Sequence, residues 1–331
     1  MKIFVTGTAG FIGFHLARRL LADGHEIVGY DALTDYYDVR LKRARHAMLE
    51  TSPNFRPVIG RLENVDLLQT TISEFAPEIV LHFAAQAGVR YSIEHPETYM
   101  ASNLDGTFNL LEALRANPPR HALLASTSSV YGANPGTAFR ETERTDFPLS
   151  IYAATKRGTE ALAHSYAHLF GIPTTMLRFF TVYGPWGRPD MAPLKFATAI
   201  ARGTPIDIYG GGNMSRDFTF IDDVVEAVTR LITAVPVQGH AASPADSLSP
   251  AAPWRAVNVA GGQPLPLMDF VAAFEAGLGK PALRNFLPMQ PGDVAATRAD
   301  TTLLRALIGY VPQTPVGDGV KAFVDWFRTQ T

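Results

Sequence analysis

The sequence predicts an α/β protein: a doubly wound parallel sheet with a smaller, interleaved α/β lobe. Three observations carry that expectation. A β-prone run at residues 2–6 passes through Gly7-Thr8-Ala9-Gly10-Phe11-Ile12-Gly13 into an amphipathic stretch at 14–23. Short apolar runs then recur at 26–30, 55–59, 79–83 and 122–126, separated by helix-length segments, an alternation that packs as parallel strands under crossover helices. From Pro193 onward the rhythm changes, with helical stretches at 194–202 and 223–234 alternating with strands at 206–209 and 256–259. The expected division is 1–180 for the sheet-forming half, with later strands returning to it, and 181–331 for the lobe.

Composition sets the outer bounds. A chain of 331 residues, 47% hydrophobic and 18% charged, has ample length for a sizeable core. A net charge of −2 without a long basic run argues against a nucleic-acid surface. The absence of cysteine excludes disulfides and thiolate metal sites, and allows a reducing compartment. The first residues run straight into the glycine turn with no signal-peptide pattern, and no apolar run reaches the ~20 residues that span a bilayer. The expectation is a soluble cytoplasmic protein without a membrane partner.

Taken in order, the glycine turn is the first chemical signal. Glycine lets the backbone turn sharply and approach a pyrophosphate, whose charge meets free amides and the positive end of a helix dipole. Gly7, Gly10, Phe11, Ile12 and Gly13 are therefore expected to hold a dinucleotide. The next strand closes with Asp31, 18 residues after Gly13, where a carboxylate accepts from adenosine ribose hydroxyls and repels a ribose phosphate, favouring NAD over NADP. Right-handed crossovers place the strand ends along one edge. That makes Ala84 and Ala85, after the 79–83 run, and Thr127, Ser128 and Ser129, after the 122–126 run, site candidates.

The last signal in this half is Tyr152 with Lys156. Four residues apart on a helix, they share a face, and an ammonium beside a phenol lowers the pKa of a group that otherwise titrates near ~10. Thr127 could hydrogen-bond a substrate hydroxyl while Tyr152 takes its proton, as alcohol oxidation requires.

Together, the glycine turn, Asp31, the hydroxyl cluster and Tyr152/Lys156 resemble the extended short-chain dehydrogenase/reductase family, the Rossmann-fold nucleotide-sugar epimerases and dehydratases. Asp35-Tyr36-Tyr37-Asp38, Ala84 to Ser92, Arg178 to Met191 and Pro288 to Val294 narrow the likeness to the branch that epimerises UDP-glucuronate at C4, over nearly the whole chain. The resemblance implies tightly bound NAD, transient oxidation to a 4-keto sugar with Tyr152 as base, and hydride return to the opposite face, giving UDP-galacturonate. It assigns Ser128, Ser129 and Thr181, with Thr127, to the sugar carboxylate, Arg188 to the sugar or its acid, Arg216 to the diphosphate and Asp293 to the uridine end. It also implies a two-fold dimer through helices around 98–115 and 152–170. Relatives commonly carry an aspartate for the adenine amino group where this chain has Gly60-Arg61-Leu62-Glu63; Arg61 cannot accept that bond.

A 4-keto uronate is a β-keto acid and loses carbon dioxide readily unless its carboxylate is pinned out of alignment with the carbonyl. Related dehydratases carry Asp-Glu directly after the catalytic threonine; Ser128-Ser129 here disfavours dehydration. A UDP-glucuronate decarboxylase, a neutral UDP-hexose 4-epimerase and a silent NAD-binding regulator remain as alternatives. Residues 235–253, rich in Pro, Ala and Ser, read as a mobile loop. No metal site is expected, since His164 and His168, four apart, lack supporting carboxylates.

Overall fold

The computed structural model describes residues 1–136, 138–290 and 292–330. Pro291, within the 288–294 motif, and Thr331, at the end of the expected lobe, lie outside them, as does Thr137. The strands, in chain order, are β1 (Lys2–Thr6), β2 (Glu26–Asp31), β3 (Phe55–Ile59), β4 (Ile79–His82), β5 (His121–Thr127) and β6 (Thr174–Phe179). They continue with β7 (Thr181–Tyr183), β8 (Ile206–Tyr209), β9 (Ser215–Phe220), β10 (Trp254–Val259), β11 (Pro264–Pro266) and β12 (Arg284–Leu287).

Seven of these form one parallel sheet in the order β10-β6-β5-β4-β1-β2-β3. The order reverses between β1 and β4, so the crevice outside their carboxyl ends is the switch point where such sheets bind ligands. Alternate residues feed two cores. Phe4, Val28, Val80, Leu124 and Met176 face one side, and Ile3, Val5, Ile27, Leu81, Leu123 and Leu177 the other. A sheet covered on both faces needs such near-continuous apolar strands. The lobe consists of a three-stranded sheet, β11-β9-β7, and a two-stranded one, β12-β8. Among the described residues, only β10 from beyond residue 181 joins the large sheet, pairing with β6 along its whole length.

The stretch 235–253, expected to be a mobile loop, has no regular structure but is tied down at several points. The buried Asp246 carboxylate meets Arg255 at 3.3 Å and accepts from the Ala242 and Leu248 amides. Ser249 Oγ pairs with His164 Nε2 at 2.8 Å, and His168 Nδ1 meets the Ala251 carbonyl at 2.7 Å. The two histidines thus clamp this segment to their helix. Among the described residues no helix is long and apolar enough to cross a membrane.

Candidate active site

The turn between β1 and the Phe11–Ala22 helix is tightly constrained backbone. Gly7 has φ 79°, and a Cβ there would stand 2.7 Å from the Ala84 amide nitrogen. A Cβ on Gly13 would stand 2.1 Å from the Gly7 carbonyl oxygen. Gly10 caps the helix with no side chain folded over its first amides, which leaves them facing the cavity as an anion-binding end. The Asp31 carboxylate locks the far side by accepting from the Ala9 amide at 2.9 Å and the Leu33 amide at 2.8 Å. These features fit a dinucleotide: a cradle that side chains would fill, with amides at one end and a fixed carboxylate at the other.

The Ile151–Phe170 helix supplies Tyr152 and Lys156. Ser150 starts it, its hydroxyl accepting from the Ala153 amide at 3.1 Å, so both side chains lie in the first two turns and point to the sheet edge. Lys156 is buried, and its ammonium donates to the Ala125 carbonyl of β5 at 2.9 Å. Burial pushes its pKa down to about 8, against the pull of Glu160. Tyr152 is raised above its ordinary value by burial, and the groups opposing that rise are a hydrogen bond with Thr127 and the charge of Arg188. Arg188, which lines the same cavity, is a cation that favours the phenolate.

The hydroxyl wall stands at the end of β5. Thr127 Oγ1 accepts from the Ser129 amide at 3.2 Å and lies 3.2 Å from Ser129 Oγ. Beneath it, Ser126 donates to Glu160 at 2.6 Å, and Glu160 receives two bonds from Arg178, each 2.9 Å, in a buried fork-on-carboxylate pair. Arg178 in turn lies 4.9 Å from the Tyr131 ring centroid. This support fixes the strand end that carries Thr127.

Arg188 pairs through Nε and Nη2 with the Asp190 carboxylate, which also accepts from Tyr36 at 3.1 Å. The pair overcomes burial on both sides, holding the arginine protonated and the aspartate below its ordinary range. Arg216 donates to the Ser215 and Ala295 carbonyls, at 2.9 and 3.1 Å, rather than to a neighbouring carboxylate. Asp293 meets Arg90 at 3.2 Å.

Every site residue expected from sequence lines one cavity of about 1230 Å³: Gly7, Gly10, Phe11, Ile12, Gly13, Asp31, Ala84, Ala85, Thr127, Ser128, Ser129, Tyr152, Lys156, Thr181, Arg188, Arg216 and Asp293. Arg61 and Glu63 line it too, with the Tyr30 hydroxyl fixed to the Arg61 carbonyl at 2.8 Å. Sequence reasoning missed the buried Asn103, which clamps the Gln86 backbone from both sides, at 2.8 and 3.0 Å, and reaches Thr155 at 3.1 Å. It sits in a π-helical turn, Met100–Asp105, a distortion common at functional sites.

Comparison with known proteins agrees with this geometry. The family described as NAD dependent epimerase/dehydratase matches residues 3–241. A Rhizobium meliloti protein named "Probable UDP-glucuronate 4-epimerase" is 53% identical over 330 residues, covering 99% of this chain and 97% of its own. The UDP-glucuronic acid 4-epimerase of Bacillus cereus, solved with UDP-glucuronic acid and NAD, superposes with a TM-score of 0.90 at 33% identity, with 100% of both chains covered. The UDP-glucose 4-epimerase of Thermus thermophilus, solved with NAD, gives 0.84 at 29% identity, again over 100% of both. With a glycine cradle, a tyrosine–lysine helix and a hydroxyl wall around one cavity, and relatives of this identity along its whole length, the chain belongs to the NAD-dependent epimerase/dehydratase family.

Proposed function

We propose that this chain is a UDP-glucuronate 4-epimerase, interconverting UDP-glucuronate and UDP-galacturonate through a 4-keto sugar. The observation that carries the reading is the wall facing Tyr152. Thr127, Ser128, Ser129 and Thr181 bring four hydroxyls to the cavity that also holds Arg188, a surface suited to a carboxylate and unsuited to the acid–base elimination of a dehydratase.

Gly7, Gly10, Phe11, Ile12, Gly13, Asp31, Ala84, Ala85, Tyr152 and Lys156 would hold NAD, which when bound supplies the hydride acceptor and donor for C4. Tyr152 takes the proton of the 4-hydroxyl and later returns it, with Thr127 sharing the hydroxyl and Arg188 favouring the phenolate. Ser128, Ser129 and Thr181 hold the carboxylate so that its C–C bond stays out of line with the ketone π-system. Arg216 takes the diphosphate and Asp293 the uridine end. In this reading residues 1–180, completed by β10, serve the cofactor, and 181–331 mainly serve the UDP-sugar.

Incubating the protein with UDP-glucuronate and following products by NMR tests the reading. UDP-galacturonate is the expected product. UDP-xylose, or turnover of UDP-glucose alone, would overturn it. We also place the protein in the cytoplasm, with which its lack of cysteine agrees, as a dimer through the helices around 98–115 and 152–170. Met100, Phe108 and Leu169 there are 49%, 45% and 66% exposed in the single chain. Light scattering should give twice 36.0 kDa, and a monomer would exclude the dimer.

A further inference from the structure

Arg45 is fully buried in the Val39–Glu50 helix, and its four hydrogen-bond acceptors are all neutral. One guanidinium nitrogen donates to the Ala9 carbonyl at 2.7 Å and to the Tyr37 hydroxyl at 2.8 Å. The other donates to the Trp186 carbonyl at 2.6 Å, with a longer 3.4 Å reach to that of Gly187. Burying a guanidinium costs free energy unless its donors are met. Here the two terminal nitrogens are met by two turns, the glycine turn 36 residues before Arg45 and the loop leading to Arg188 141 residues after it, while Nε has no hydrogen-bond partner among the described residues.

That loop needs outside support. Trp186 has φ 60°, a left-handed conformation that its Cβ disfavours. A second tie comes from the dinucleotide helix: His15 is buried, and burial lowers its pKa to about 3, so it is a neutral imidazole whose Nε2–H donates to the Pro185 carbonyl at 2.9 Å. The Trp186 ring packs against Phe14 of the same helix and against Trp326, with centroids 5.8 and 5.6 Å away. The carbonyls of residues 185, 186 and 187 are therefore all held by side chains that belong to the cofactor half.

We infer that Arg45, seconded by His15, is a positioning residue that sets the height of Arg188 in the sugar site by clamping its loop to the glycine turn. The inference rests on the reading that Arg188 contacts the UDP-sugar. Lysine at position 45 keeps the charge but has one nitrogen, which cannot hold both turns at once. The expected result for Arg45→Lys, assayed as the holoenzyme, is a KM for UDP-glucuronate raised about tenfold with kcat changed far less. On an Arg188→Ala background the same substitution should add almost nothing, because its effect passes through Arg188.

Additive effects in that double-mutant cycle, or an unchanged KM in Arg45→Lys, overturn the inference while leaving Arg188 in place. An unchanged KM in Arg188→Ala itself overturns the contact and, with it, the inference. If Arg45→Lys does not fold, His15→Leu carries the same test, with a smaller rise in KM that also disappears on the Arg188→Ala background; a rise that persists there would sink the proposal.

Discussion

Residues 7–13 and residues 184–188 are both tight, glycine-bearing turns at the cavity, yet they are held in opposite ways. The first is fixed by its own backbone: Gly13 has no room for a Cβ against the Gly7 carbonyl, and Gly7 none against Ala84. The second carries a tryptophan in the left-handed region and is held by side chains of His15 and Arg45. A turn closed by backbone contact tolerates almost no change. A turn braced from outside can be re-aimed by changing the brace.

The largest effect should come from breaking the first turn. Gly13→Ala forces a Cβ to 2.1 Å from a carbonyl oxygen, and overpacking of this kind costs about 1–3 kcal/mol or more. The expected outcome is loss of copurifying NAD, read by absorbance after denaturation, and activity at background. Next comes the group between the turns. Tyr152→Phe should lower kcat about 10²- to 10⁴-fold while the purified protein retains NAD, which separates holding the cofactor from using it.

Glu141 extends the comparison to the support beneath the hydroxyl wall. Its buried carboxyl is pushed up to about 7 by burial, against the Asn258 amide that donates to it at 2.8 Å. Between about pH 4.5 and 7 the folded chain holds a proton that the unfolded chain has released, so this group makes stability fall as pH rises through that window. Glu141→Gln keeps an acceptor for Asn258 and removes the titration. It should gain about 1–3 kcal/mol at pH 8, an advantage that shrinks away toward pH 4.5; thermal melts at the two pH values check it. The smallest effect belongs to the second turn. Gly187→Ala places a Cβ 3.1 Å from the Gly184 carbonyl, a contact that the loop can relieve, and should cost about 1 kcal/mol with NAD retained.

What was legible in the sequence follows the same division. The strand–turn–helix at the start, Asp31 and the Tyr152/Lys156 spacing are local patterns, and local patterns are written in consecutive residues. The Ala125 carbonyl that takes the Lys156 ammonium is invisible to spacing arguments, because any strand residue offers a carbonyl. Arg45 and His15 read as ordinary helix residues until the fold brings the 185–187 carbonyls to them. Arg61 remains the one place where an expected acid is missing and the structure supplies only a lining role.

The return of β10 to the large sheet bears on how the chain is made. Its partner β6 is buried along its full length, Thr174–Phe179, only when Trp254–Val259 lies beside it. A ribosome that has released residues 1–180 has therefore emitted a sheet with an open, apolar edge, a surface that invites pairing with other chains. Residues 1–180 are not a detachable module: synthesis must pass residue 259 before that edge closes, and a fragment ending near 180 should aggregate where the whole chain folds.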